Sequence, residues 1–291
     1  MRIANVGGRL TIVPGAIASI VDGGTVDGVD VERASGGRFG SGPQEIFSRW
    51  EEFESWARDV DLAEADVTVT AADLGPVAPH PAQVFAIGLN YAAHAAETNR
   101  AAPTSPPTFT KFPTCLAGPA ASVNLPPGSV DWEVELVAVV GRLARNVARA
   151  DAWAHLAGVA VGQDFSEREL QMVGPAPQFS LAKSYPNFGP IGPALVTPDE
   201  LTDRDDLAIG CAIDGESVQS SRTSMMLFDV PTLVAHLSSV LTLLPGDVIF
   251  TGTPSGVGMG RDPKRFLKPG EVVVSEIEGI GRLRNPTTAG G

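Results

Sequence analysis

Basic residues are in short supply in this chain of 291 residues: 21 Lys and Arg stand against 34 Asp and Glu, a net charge of −13. So little positive charge leaves no basic surface to follow a phosphate backbone, and nucleic acid is not an expected partner. Cysteine is scarcer still. Cys115 and Cys211 lie far apart with no CxxC companion, so neither a thiolate zinc site nor a disulfide framework is expected, and both read as small buried residues. No uncharged apolar run approaches the ~18 residues of a spanning helix, so no membrane partner is expected. The opening Met1-Arg-Ile-Ala-Asn-Val lacks the apolar stretch of a signal peptide, and a cytoplasmic location is expected. An acidic protein that handles an acidic metabolite must gather positive charge locally, from a bound cation or a few Lys and Arg.

What is present is apolar residue, 43% of the chain, enough for one large core or a main domain with a smaller partner. Residues 1–75 read as a small N-terminal α+β domain. Gly and Asp between Val21 and Val31 mark turns between short strands, and a helix is expected from about Gln44 to Val60. Its Phe47, Trp50, Phe53 and Trp56 recur at helical spacing with Glu51, Glu52 and Glu54 between them, a packing stripe. Pro76, Pro79 and Pro81 form a stiff joint, taken as the start of a main domain over residues 76–291. There, strand-like runs (Glu133–Gly141, Gly158–Gln163, Asp247–Thr251, Glu271–Glu278) alternate with Pro- and Gly-rich loops. One good helix starts near Asp229, with Pro231 in its first turn. Strands dominate without a regular βαβ alternation, which predicts an α+β fold rather than a doubly wound sheet.

Several polar residues sit where packing alone would not put them. In Asp131-Trp-Glu-Val-Glu-Leu-Val-Ala-Val-Val-Gly141, strand alternation puts Glu133 and Glu135 on one face of an otherwise aliphatic segment. Either the pair is solvated on an edge strand, or one is protonated, or basic residues pair with them, or a hard cation lies between them. Asp164 ends the next buried-type strand and is either the N-cap of the helix-like Phe165–Gln171 or a third oxygen ligand. Three carboxylates without His or Cys suit Mg²⁺ or Mn²⁺, with Ca²⁺ also compatible. In Gly88-Leu-Asn-Tyr-Ala-Ala-His94-Ala-Ala-Glu97, Asn90 can cap a short helix that sets His94 and Glu97 one turn apart. That spacing fits an exposed ion pair or a general-base dyad. Lys183 follows an apolar stretch and either snorkels to solvent or serves a site. Pro245 to Gly258 runs from a strand into a Gly-rich loop whose backbone N–H groups and Thr251 and Thr253 hydroxyls can approach an anion. It lacks the P-loop lysine, and no GxSxG elbow occurs anywhere, so nucleotide and Ser-hydrolase readings are disfavoured.

The order of these segments resembles the fumarylacetoacetate hydrolase family, in its acylpyruvate or 2,4-diketo-3-deoxy acid hydrolase-like branch. The family pattern runs G-x-N-Y-x-x-H-x-x-E, F-x-K, D-x-E-x-E-L, D-x-S-x-R-x-x-Q, a lysine before G-P, and P-G-D-x-x-x-T-G-T-P. Here these are Gly88–Glu97, Phe109–Lys111, Asp131–Leu136, Asp164–Gln171, Lys183 and Pro245–Pro254. The resemblance implies a mixed β-sheet roll, usually a homodimer, with metal held by Glu133, Glu135 and Asp164. It places His94 and Glu97 on a lid over the substrate and makes Lys183 catalytic. It assigns Arg168, Gln171 and Thr253 to the substrate or its supporting shell, and leaves Lys111 without a role. The expected activity is metal-dependent hydrolysis of a C–C bond in a 2,4-diketo acid, with the Glu97–His94 dyad activating water. The alternatives at the same site are decarboxylation of an oxaloacetate-type 2-oxo acid and keto–enol isomerisation.

Overall fold

The computed structural model describes residues 1–290. Its centre is a twelve-stranded mixed sheet, joined by a five-stranded sheet and a two-stranded ribbon, an α+β architecture as expected. Three strands form the spine: Val134–Val140, Leu156–Gln163 and Gly189–Val196, paired antiparallel and buried at every position. Both faces are covered, so these strands read as continuous apolar runs rather than alternating ones. Leu136, Ala138 and Val140 enter one core with Val159 and Val161. Val137 and Val139 face another, which contains Phe47, Trp50 and Phe53.

The expected N-terminal helix is a 3₁₀ turn, Glu45–Arg49, running into the α-helix Trp50–Ala57. Its stripe packs as read, with Phe47, Trp50 and Phe53 buried and Trp56 half-buried. Phe39 meets Phe53 edge to face at 5.5 Å. The strands of residues 1–75 share the large sheet with the rest of the chain: Arg2–Val6 pairs antiparallel with Gly189–Val196. The joint at Pro76–Pro81 is seated in the core, with Val77 and Ala78 buried. The division at residue 75 is therefore a proposal about folding units whose strands lie in one sheet.

Asp229 caps the helix Val230–Val240 by accepting from the Thr232 N–H, with Pro231 in the first turn, as its sequence indicates. Asp164 is not an N-cap. The chain first makes the short strand Ser166–Glu167, and Glu167 caps the helix Arg168–Gln171. Asn90 does not cap either. Its amide donates to the Thr251 and Phe228 carbonyls, and its carbonyl accepts from the Phe228 N–H, so it ties three segments together. Both cysteines are buried free thiols, and burial pushes the Cys211 thiol up to about 12. Among the described residues no helix is long and apolar enough to cross a membrane.

Candidate active site

The site forms where the spine strands end. Glu133 lies just before the strand Val134–Val140, Glu135 within it, and Asp164 just beyond the neighbouring Leu156–Gln163. Two hydrogen bonds tie the strand ends together there: the Asp164 N–H donates to the Glu133 carbonyl at 2.9 Å, and the Glu133 N–H to the side-chain Oε1 of Gln163 at 2.8 Å. All three carboxylates are buried, and one oxygen from each lies within 4.8 Å of the others. Glu133 and Glu135 share a face, and the solvated-edge reading is excluded.

Cations surround part of this cluster. Lys183 Nζ is 2.7 Å from both Glu133 Oε2 and Asp164 Oδ2. Lys111, fully buried, donates to Asp164 Oδ1 at 2.7 Å and to the Lys183 and Phe188 carbonyls. Arg168 Nε donates to Asp131 Oδ2 at 2.8 Å and Nη1 to Gln171 Oε1 at 2.9 Å. Its Nη2 lies 2.7 Å from Glu133 Oε1 but off the N–H axis, an ion pair rather than a directed hydrogen bond.

The electrostatics divide the carboxylates. Burial would raise Glu133, yet Lys183 and Arg168 outweigh it and hold the group ionised, below the usual range. Glu135 goes the other way: burial, then the neighbouring Asp164 and Glu133, push it well above a normal carboxyl. Its hydrogen bond is from the Gly252 N–H, at 2.7 Å. Burial disfavours the Lys183 ammonium, but Asp164 and Glu133 more than compensate and raise its pKa. A hard divalent cation would supply what Glu135 lacks, and an all-oxygen donor set suits Mg²⁺, Mn²⁺ or Ca²⁺. The residues present fit such an ion.

The other wall comes from the parallel pairing of Val84–Ile87 with Val248–Phe250, which sets the helix Ala92–Glu97 beside the loop through Gly252. His94 Nδ1 is 2.8 Å from Glu97 Oε1, and Glu97 Oε2 accepts from the Gly256 N–H at 2.8 Å. His94 is buried, which sets aside the exposed-pair reading. Gly252 must be glycine: its φ is +99° and a Cβ would come 2.6 Å from the Asn90 Cβ. The Thr251 and Thr253 hydroxyls donate to the Leu136 and Val134 carbonyls, so they are committed to the frame rather than free for an anion.

A cavity partly open to solvent brings the two walls together. His94, Glu133, Arg168, Gln171, Lys183 and Thr253 all line it, while Glu135 and Asp164 lie behind Glu133 and Lys183. Sequence reasoning left two buried supports without a role. Asp131 accepts from the N–H groups of Trp132, Gly258 and Met259 as well as from Arg168. Lys111 anchors Asp164. The only local signal was position: Asp131 opens the segment that carries Glu133 and Glu135, and Lys111 follows Phe109 in the F-x-K pattern.

A profile of the fumarylacetoacetate (FAA) hydrolase C-terminal domain matches residues 83–288. The chain belongs to the fumarylacetoacetate hydrolase family. Within the family, it is 45% identical over 214 residues to the mitochondrial oxaloacetate tautomerase Fahd2a of Rattus norvegicus, covering 73% of this chain and 68% of that protein. A crystal structure from Mycobacterium smegmatis, provisionally assigned as an HpcE protein, superposes with a TM-score of 0.92 at 52% identity, covering 99% of both chains. The maleylpyruvate hydrolase of Sphingobium sp. SYK-6, solved with manganese(II) and pyruvate, superposes with a TM-score of 0.78 at 26% identity over the whole of both chains. Enzymatic function, a divalent metal and a small acid substrate agree with this family membership.

Proposed function

We propose that this protein is a divalent-metal-dependent tautomerase that interconverts the keto and enol forms of a small 2-oxo acid of the oxaloacetate type. The observation that carries the reading is a buried three-carboxylate cluster behind a cavity whose opposite wall holds the His94–Glu97 pair. The 45% identity to an oxaloacetate tautomerase supports it over the C–C hydrolysis expected from motif order. Glu133, Glu135 and Asp164 would hold the ion, Mg²⁺ or Mn²⁺. When bound, it supplies Lewis-acid polarisation of the 2-keto group.

The chain's own groups handle the protons. Glu97 engages His94 Nδ1, which leaves Nε2 to take the C3 proton and return it. Lys183, kept protonated by Glu133 and Asp164, offsets the negative charge that develops on the enolate oxygen. Arg168 and Gln171, hydrogen-bonded to each other, orient the substrate carboxylate. Thr253 donates to the Val134 carbonyl and accepts from Gln219, so it fixes the cavity wall.

The second reading, hydrolysis of an acylpyruvate, uses the same dyad to deprotonate water; the manganese- and pyruvate-bound maleylpyruvate hydrolase favours it. A homodimer and a cytoplasmic location complete the proposal. The test is a panel of acylpyruvates, a 2,4-diketo-3-deoxy sugar acid and oxaloacetate, with Mg²⁺ or Mn²⁺ and products followed by mass. A tautomerase yields no fragments. Pyruvate plus a carboxylic acid would establish the hydrolase, and pyruvate plus CO₂ from oxaloacetate the decarboxylase.

A further inference from the structure

Three cationic side chains line the cavity, and two are already neutralised: Arg168 by Asp131 and Glu133, Lys183 by Glu133 and Asp164. The third is Arg100. No carboxylate lies within salt-bridge distance of it among the described residues; it is exposed at the cavity rim, and its one side-chain hydrogen bond goes to Met172 Sδ at 3.9 Å. Local sequence puts it there. Asn99 takes a left-handed φ of +54°, and the Asn99 and Arg100 N–H groups bond back to the Ala96 and Ala95 carbonyls. This is the closing turn of a helix C-terminus. It sends Arg100 back toward the cavity that His94, on the same helix, also lines.

The charge balance says what it would meet. Glu133, Glu135, Asp164 and Asp131 oppose Lys111, Arg168 and Lys183, and a divalent ion turns that balance to one net positive charge. That suffices for one substrate carboxylate, and Glu97 then subtracts from it. A second carboxylate would need a cation from elsewhere, and Arg100 is the unpaired one.

Building on the tautomerase reading, we propose that Arg100 is the specificity-determining residue that selects 2-oxo dicarboxylates over 2-oxo monocarboxylates by pairing with the carboxylate remote from the metal centre. The experiment compares wild type, Arg100→Leu and Arg100→Lys, loaded with Mn²⁺, on oxaloacetate and on 2-oxobutanoate. Two readouts are taken: the ratio of kcat/KM values for enolisation, and the ratio of affinities by calorimetry, which needs no turnover. Arg100→Leu is expected to lower both ratios about 10–100-fold, the range for one charge-assisted hydrogen bond, and Arg100→Lys to restore part of the preference. A ratio that stays at the wild-type value, or equal losses on both acids, would overturn the proposal. Wild type that binds both acids without enolising either would sink the tautomerase reading alone, and the affinity ratio would still decide Arg100.

Discussion

Glu135 is the residue on which the proposed metal binding and stability pull in opposite directions. Its carboxyl is raised by burial and by Asp164 and Glu133. A group raised in the folded state contributes stability that is fully present below its unfolded pKa, about 4.3, and is lost as pH rises through the folded value. At neutral pH the metal-free protein therefore carries a penalty that Glu135→Gln removes. The variant should melt higher than wild type in chelator, by about 2–4 °C per kcal/mol relieved, and should gain nothing from added Mn²⁺. Equal melting temperatures in chelator would contradict the burial argument. The wild-type ion affinity should also tighten as pH rises, because binding expels the Glu135 proton. His94→Ala should lower kcat by about 10²–10⁴-fold, the contribution of one acid–base group, while leaving metal-induced stabilisation intact. A variant with full turnover would remove His94 from the mechanism. At this scale the sequence was most informative: the acids at 133, 135 and 164 and the pair at 94 and 97 stood out against their neighbours. Asp131 and Lys111 were legible only as motif members, and what they serve depends on contacts with Gly258, Met259 and Phe188 that no local pattern shows.

Among the elements, the loop after Val248–Phe250 matters most, because it joins the two walls. Asn90 holds it to the segment near Phe228, and the Gly252 N–H holds Glu135. Gly252→Ala forces a side chain into left-handed backbone and against Asn90. The expected loss is at least about 2 kcal/mol, with a weaker ion response, measured by denaturant unfolding with and without Mn²⁺. Unchanged stability would mean the loop can relax elsewhere. Capping was the hardest feature to read locally. Asp164 and Asn90 are residue types that cap helices, and neither does so here: Asp164 joins the buried carboxylate cluster and accepts from Lys111 and Lys183, and Asn90 cross-links three segments. Asp229, an unambiguous cap ahead of a Pro and an apolar stripe, behaved as its sequence reads. The long helix at 44–60 was split because Glu45–Arg49 tightens into a 3₁₀ turn while its aromatic stripe still faces the core.

At the scale of the whole molecule, the α+β class was legible from strand-like runs without βαβ alternation, but the partners of those runs were not. Sheet register joins segments nearly 200 residues apart, such as Arg2 and Val196, and nothing in either segment announces the other. This bears on the proposed domains. Residues 76–291 alone would expose the Gly189–Val196 edge and the core face that Phe47, Trp50 and Phe53 cover, so that fragment is expected to aggregate. A monodisperse, cooperatively unfolding fragment would establish the division at residue 75 as an independent folding boundary. The central claim is that the clustered acids and the His94–Glu97 dyad make a metal-dependent tautomerase, and it is tested most directly by the approach of oxaloacetate to keto–enol equilibrium. The rate is followed by enol absorbance and by C3 deuterium exchange, with Mn²⁺ and with chelator. Acceleration that chelator abolishes, with oxaloacetate conserved, is the predicted result; a rate indifferent to metal, or loss of oxaloacetate to pyruvate and CO₂, would contradict it.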